Sequence, residues 1–291
     1  MRLWDRNWMQ IEEFLRHDDR VLVPLGSTEQ HGYLSLGVDA ILCERAAVEA
    51  AEPEGVPVLP ALPFGLTPTF TAYPGTINLR ESTYLALVRD VLDSLRDQGF
   101  RRILLVNGHG GNAPAEATAR DWAGAHPDCE VQFHGWLIDP AIWGLAASID
   151  EVSHASWVEN FPAVRLPGVE IPSGRKPLVD PAALQASDPA GVRELLGDGP
   201  GGGPYQRDDA DGARVWKAAV ALLRRRLASG WRAAAPQSGG LGAEAASATT
   251  SSRPAPSSID AGVPLSGPAS TRDSASAFSD PATSSITRGQ A

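Results

Sequence analysis

Val21-Leu22-Val23-Pro24-Leu25-Gly26-Ser27-Thr28-Glu29-Gln30-His31-Gly32 is the stretch on which the reading of this chain turns. Its aliphatic opening is the composition of a short strand buried on both faces. The run gives way to small residues, then sets a carboxylate and an imidazole two positions apart. In extended backbone, residues i and i+2 point to one side. Glu29 and His31 therefore reach into one pocket beyond the strand's carboxyl end.

The flanking sequence repeats this plan. An opening helix is expected over residues 8–17 and a helix from Asp39 to about residue 51. Val56-Pro57-Val58-Leu59-Pro60 is expected as a further strand, followed by a loop rich in Pro and Gly. Ser82 is the expected cap of a long helix to residue 98, where Leu85, Val88, Val91, Leu92 and Leu95 recur at helical spacing. A strand over 102–106 then runs into Asn107-Gly108-His109-Gly110-Gly111-Asn112, with helix 113–125 and strand 130–134 behind it. Strands alternating with helices imply βαβ units: an α/β fold with a mostly parallel sheet covered on both faces. Functional groups gather at the carboxyl ends of strands in such sheets, and Glu29, His31 and His109 fall at two of them.

Composition narrows the function classes. The net charge of −10 argues against a nucleic-acid partner, and Arg224-Arg225-Arg226 ends an amphipathic helix, where cations suit the dipole. No apolar run approaches the ~20 residues of a membrane span, and no leader is visible, so the expected compartment is the cytoplasm. Cys43 and Cys129 fit no metal or redox spacing. From about residue 236 the chain becomes Ser, Ala, Thr, Pro and Gly, too poor in apolar surface to offset its chain entropy. The expected organisation is one domain over 1–235 and a disordered low-complexity tail over 236–291.

Each candidate has a plainer reading. Asp39 stands where an N-cap is common. The glycines around His109 suit backbone turning, and His154 suits the start of a helix. Tyr73, Trp136, Trp143, Trp157 and Phe161 could line a substrate pocket, although aromatics at this density are more often core. The glycine-rich run 197–206 lacks the setting of a phosphate loop; a mobile flap or a subunit contact is the expectation there.

Five blocks in one order, Gly26 through Gly32, Asp39, Pro74-Gly75-Thr76, Val106 through Asn112, and His154-Ala155 followed by Glu159, resemble the creatininase (creatinine amidohydrolase) family over residues 21–159. The resemblance implies a three-layer α/β/α sandwich and two divalent metal ions per subunit (Zn, Mn or Fe). It also implies a small-molecule amide substrate cleaved at a C–N bond, and a homo-oligomer, often a hexamer. The family includes creatininase, a formamide hydrolase of archaeal flavin and deazaflavin biosynthesis, and the peptidase that trims the mycofactocin precursor.

Carried over by residue, Glu29 and His109 bind one metal, His31 binds the other, and Asp39 bridges them. His154 matches the proton-shuttling histidine. Creatininase takes a further ligand from a Glu two residues after the His of its Asn-Gly-His block; Gly111 stands there in this chain. Glu159 is the replacement the resemblance suggests. The segment between Glu29 and Asp39 is one residue shorter than usual and lacks the common Pro-His, and Trp157 replaces an acidic residue. Tyr73, Asn112 and Trp157 are the candidates for substrate contact. A hydrolase of a lactone or diketone, or a non-catalytic binding protein, stands beside the amidohydrolase reading.

Overall fold

A computed structural model describes residues 1–231; the tail expected over 236–291 lies outside the described residues. Three parallel strands form the central sheet in the order β1 (Arg20–Leu25), β2 (Arg102–Asn107), β3 (Glu130–Gly135). Leu25 pairs with Asn107 and Asn107 with Gly135, so all three strands finish level. That shared edge carries the loops after β1 and β2.

Residues 56–62 lie along the free edge of β1 without forming the regular strand expected there. Leu59 N–H donates to the Leu22 carbonyl and Leu62 N–H to that of Pro24, at 2.9 and 3.0 Å. Pro57 and Pro60 lack the N–H a continuous ladder needs, which leaves isolated bridges at Val58 and Leu62.

Alternate residues of each strand serve different layers. Leu22, Leu104 and Val106 pack with α2 (Val38–Ala51), α5 (Pro140–Ala147) and α8 (Asp209–Ala228). Val21, Val23, Leu25, Ile103 and Leu105 pack with α1 (Trp8–Leu15), α3 (Glu81–Gln98) and α4 (Pro114–Ala125). Each fully buried aliphatic side chain contributes about 1.5–3 kcal/mol, so both faces of the strands are apolar for the same reason. The result is the α/β/α sandwich.

Short elements complete the chain: α6 (Pro181–Gln185), α7 (Pro189–Leu196), and the two-residue pair β4 (Arg175–Lys176) and β5 (Gly203–Pro204). Helix α3 starts at Glu81 with Arg80 at its N-cap and no side-chain cap, so Ser82 sits inside the first turn instead of capping it. No helix among the described residues is long and apolar enough to cross a membrane.

Candidate metal centre

Two glycines at the level strand ends let helix α2 cross above them. A Cβ on Gly26 would lie 2.4 Å from Ala40 Cα, and one on Gly108 2.6 Å from the Asp39 carbonyl oxygen. No side chain fits at either point, and the closeness brings Asp39 over the ends of β1 and β2. Gly37 is the N-cap of α2. The capping role open to Asp39 in the sequence is thus not the one it plays. Its carboxylate is buried and turned to the strand ends, where Ser27 Oγ donates to Oδ2 at 2.7 Å.

Asp39 joins two groups of side chains. His109 Nδ1 lies 3.0 Å from Asp39 Oδ2 and 3.3 Å from Glu29 Oε1. His31 Nε2 lies 3.2 Å from Asp39 Oδ1 and 3.8 Å from Glu159 Oε2. Glu29, Asp39 and His109 form one set able to hold a metal ion, and His31, Asp39 and Glu159 another. A third set, Glu29, His31 and His154, overlaps both.

The far nitrogen of each ligand-type imidazole meets a backbone carbonyl: His109 Nε2 at 2.8 Å from Leu66 O, His31 Nδ1 at 3.1 Å from Glu29 O. With the proton donated there, the lone pair faces the carboxylates, the outer-shell arrangement that orients a metal-binding histidine. Glu29 Oε2 and His31 Nε2 are buried without hydrogen-bond partners. Such groups cost about 1–3 kcal/mol each, and cations held by the two sets would satisfy them. The donor set, imidazole and carboxylate, suits zinc, manganese or iron.

Charge balance inside the site is strongly perturbed. Burial alone would lower the pKa of His31, but the Asp39, Glu159 and Glu29 carboxylates outweigh it and raise it to about 10. The same contest leaves His109 well above the usual imidazole range. Asp39, despite burial, is held below the usual carboxylate range by His31 and His109. Burial raises Glu29, and raises Glu159 to about 7. Burial, with His31 beside it, lowers His154 to about 3. Metal-free, the centre favours protons on His31 and His109, and Glu159 holds its own proton more tightly than an ordinary carboxyl.

His154 opens no helix. It sits in a loop, stacked on Phe70 with centroids 4.4 Å apart, and 4.6 Å from the His31 ring. Its Nε2 lies 2.9 Å from both the backbone carbonyl and the side-chain amide nitrogen of Gln30. One tautomer donates to the first and the other accepts from the second. Its Nδ1 faces Glu29 Oε1 at 3.8 Å. Ala155 next to it has φ 57, in the left-handed region, and its N–H donates to Glu159 Oε2 at 2.6 Å. That turn holds Glu159 in place. At Gly111 a Cβ would lie 2.0 Å from the Leu66 carbonyl oxygen and 2.4 Å from His109 Nε2, so this loop has no room for a side chain there.

A cavity of about 680 Å³ opens over these groups, with Glu29, Asp39, His109, His154 and Glu159 among its lining. The three candidates for substrate contact fall elsewhere. Trp157 is 2% exposed, packed in the core, and its Nε1 donates to the Glu151 carbonyl. Asn112 is fully buried: Nδ2 donates to Gly26 O at 3.0 Å and Oδ1 accepts from Leu66 N–H, which ties the loops after β1 and β2 together. Tyr73 turns its hydroxyl to the Gly197 carbonyl at 3.2 Å, outside the cavity lining. Of the other aromatics, Trp143 lines the cavity, whereas Trp136 and Phe161 pack with Trp216 in the core.

Residues 199–204 are buried rather than free to act as a flap. Gly199 O accepts from Gln30 Nε2, and Gly201 N–H donates to His154 O at 2.9 Å. The run forms the wall behind His154. Ser27, Gln30 and Phe70 support the site without having been singled out in the sequence. Ser27 and Gln30 flank Glu29 in the opening stretch, and that adjacency was the available signal.

A family model described as Creatininase: Creatinine amidohydrolase matches residues 4–227. The chain is 33% identical over 109 residues to creatinine amidohydrolase of Pseudomonas putida, covering 35% of this chain and 42% of that protein. It is 33% identical over 103 residues to 3-dehydro-scyllo-inosose hydrolase of Thermotoga maritima, covering 35% and 33%. These two matches span less than half of either relative. Mycofactocin precursor peptide peptidase of Mycobacterium tuberculosis is 28% identical over 225 residues, covering 72% of this chain and 84% of that protein. A crystal structure of creatininase superposes with a TM-score of 0.65 at 22% identity, covering 77% of this chain and 95% of that one. Two similar structures, each 21% identical, are a Zn–Zn type mutant creatininase and an Mn creatininase. With the fold, the cluster at the strand ends and the match over 4–227 agreeing, this chain belongs to the creatininase family of hydrolases.

Proposed function

We propose that this protein is a dinuclear, metal-dependent amidohydrolase that cleaves a C–N bond of a small cyclic or linear amide. The observation that carries the reading is the pair of ligand sets sharing Asp39 at the floor of one cavity. Glu29, Asp39 and His109 would hold one ion, and His31, Asp39 and Glu159 the other. Divalent ions in such a site supply Lewis-acid chemistry, activating water at neutral pH and polarising a carbonyl.

The chain's own groups do the rest. His154 manages the proton at Nδ1, the ring nitrogen that faces Glu29. Burial keeps the ring neutral in the metal-free centre, so its lone pair is available to take up a proton and pass it to the departing amine. Phe70 covers one face of the ring and limits water there. Gln30 and the wall at 199–204 fix its orientation. Zinc, manganese and iron are the candidate ions, and the Zn–Zn and Mn forms of the similar structures support the first two.

Likeness to the inosose hydrolase favours a second reading, hydrolysis of a bond that yields no amine. A relative named as a peptide peptidase brings peptides into consideration beside the small-molecule amide expected from the sequence. A homo-oligomer remains part of the proposal. The test is a panel of cyclic amides, formamides, short peptides, lactones and diketones, with products identified. An amine and a carboxylate in equal amounts support the amidohydrolase. Turnover of lactones or diketones alone overturns it in favour of the second reading. A protein that takes up no metal and turns over nothing supports a binding protein.

A further inference from the structure

The cavity over the metal-ligand sets is lined by four carboxylate residues and one permanent cation, Arg80. Glu29, Asp39 and Glu159 belong to the ligand sets. Glu81, the fourth, lies beside Arg80 at the head of α3, and both are exposed. The Arg80 guanidinium makes no hydrogen bond or ion pair with another described residue. Arginines that hold the fold together are matched instead: Arg20 to Asp18 and Glu54, Arg102 to Asp18 and Asp19. Other arginines on the surface lack partners too, but among the described residues Arg80 is the one arginine or lysine lining this cavity.

A guanidinium is planar, permanently charged, and presents two parallel donors to a carboxylate. Placed on the wall of a cavity whose floor holds the reacting bond, it reads the part of the substrate that does not react. We propose that Arg80 anchors a carboxylate carried by the substrate, so that this enzyme prefers amides bearing an anionic carboxylate to neutral ones. The inference rests on the metal-dependent reading above. Arg80 touches no reacting atom in this account; it sets specificity. Glu81 beside it opposes the same anion.

The test uses two probes that grip metal through the same hydroxamate group: acetohydroxamate, which is neutral beyond it, and succinic monohydroxamate, which carries a carboxylate. Binding to the zinc-loaded protein is measured by calorimetry. The expected result is roughly tenfold tighter binding of the carboxylate probe, the size of one charge-assisted contact at a wet rim. Arg80→Ala loses this preference while binding acetohydroxamate as the wild type does, which shows fold and metal intact. Arg80→Lys keeps part of the preference, and Glu81→Gln increases it.

Equal affinity for both probes in the wild type, or a preference that survives Arg80→Ala, overturns the proposal. Failure of both hydroxamates to bind any loaded form is the distinct failure of the metal-centre reading, and the proposal falls with it. Competition then separates the sources of the carboxylate. Displacement of the succinyl probe by N-acetylglycine points to a small acylamino acid, and displacement by trialanine alone to a peptide terminus.

Discussion

Replacing Glu159 by Gln tests whether this carboxylate completes the second ligand set. Gln keeps an oxygen that can accept the Ala155 N–H now bonded to Glu159 at 2.6 Å, so the loop is retained. In the metal-free centre His31 titrates at about 10, and His109 well above its usual range. His31 therefore carries a second proton at pH 8, His109 is biased the same way, and each must release its extra proton when ions bind. Glu159 titrates at about 7. It is about one-tenth protonated at pH 8 and nine-tenths at pH 6, so loading at the lower pH releases roughly 0.8 proton more from this group. The sign follows from a raised pKa: the extra proton appears as pH falls through 7, and affinity drops up to tenfold more per pH unit below it. Calorimetric titration of the metal-free protein with zinc, in buffers of different ionisation enthalpy, counts these protons. The variant should lack the increment between pH 8 and pH 6. An equal increment in wild type and variant would refute the assignment, because the proton would come from another group.

Four further outcomes follow from the same geometry. His154→Ala should retain both ions yet lose about 10²- to 10⁴-fold in turnover; loss of an ion would make His154 a ligand through its set with Glu29 and His31. Ser27→Ala removes the 2.7 Å bond to Asp39 and should weaken metal affinity about 10- to 100-fold, measured by competition with a chromogenic chelator. Gly111→Ala should cost about 1–3 kcal/mol in urea unfolding, because the added carbon meets Leu66 O and His109 Nε2; unchanged stability would mean the loop yields freely. Deleting residues 236–291 should leave the thermal midpoint of the domain unchanged, and a lower midpoint would tie the tail to its core.

The layers were legible because the chemistry is local. The strands read as apolar runs, and α3 as a periodic stripe, since the sheet is buried on both faces. Residues 56–60 misled because prolines interrupt a ladder that the apolar pattern still announces. Glu29 and His31 were legible as neighbours on one extended segment. Asp39 was ambiguous, since a helix-start Asp reads as a cap until Gly26 and Gly108 reveal how closely α2 crosses the strands.

Glu159 had no local signal; only the family resemblance pointed to it, and the turn at Ala155 explains its aim. The sequence left Asn112 and Trp157 as candidates for substrate contact because an amide or an indole is equally at home in a pocket and in a core. What decides between them lies far away in sequence, 86 residues in the bond from Asn112 to Gly26. The glycine-rich run followed the same logic. Flexibility in composition became a close-packed wall once Gln30 and His154 bonded to it.

Metal content per subunit, measured by elemental analysis of wild type and Asp39→Asn after supplying zinc, manganese and iron, bears most directly on the shared carboxylate at the centre of this account. The account predicts about two divalent ions in the wild type and fewer than one in the variant. One ion or none in the wild type, or two retained without the Asp39 carboxylate, would contradict it.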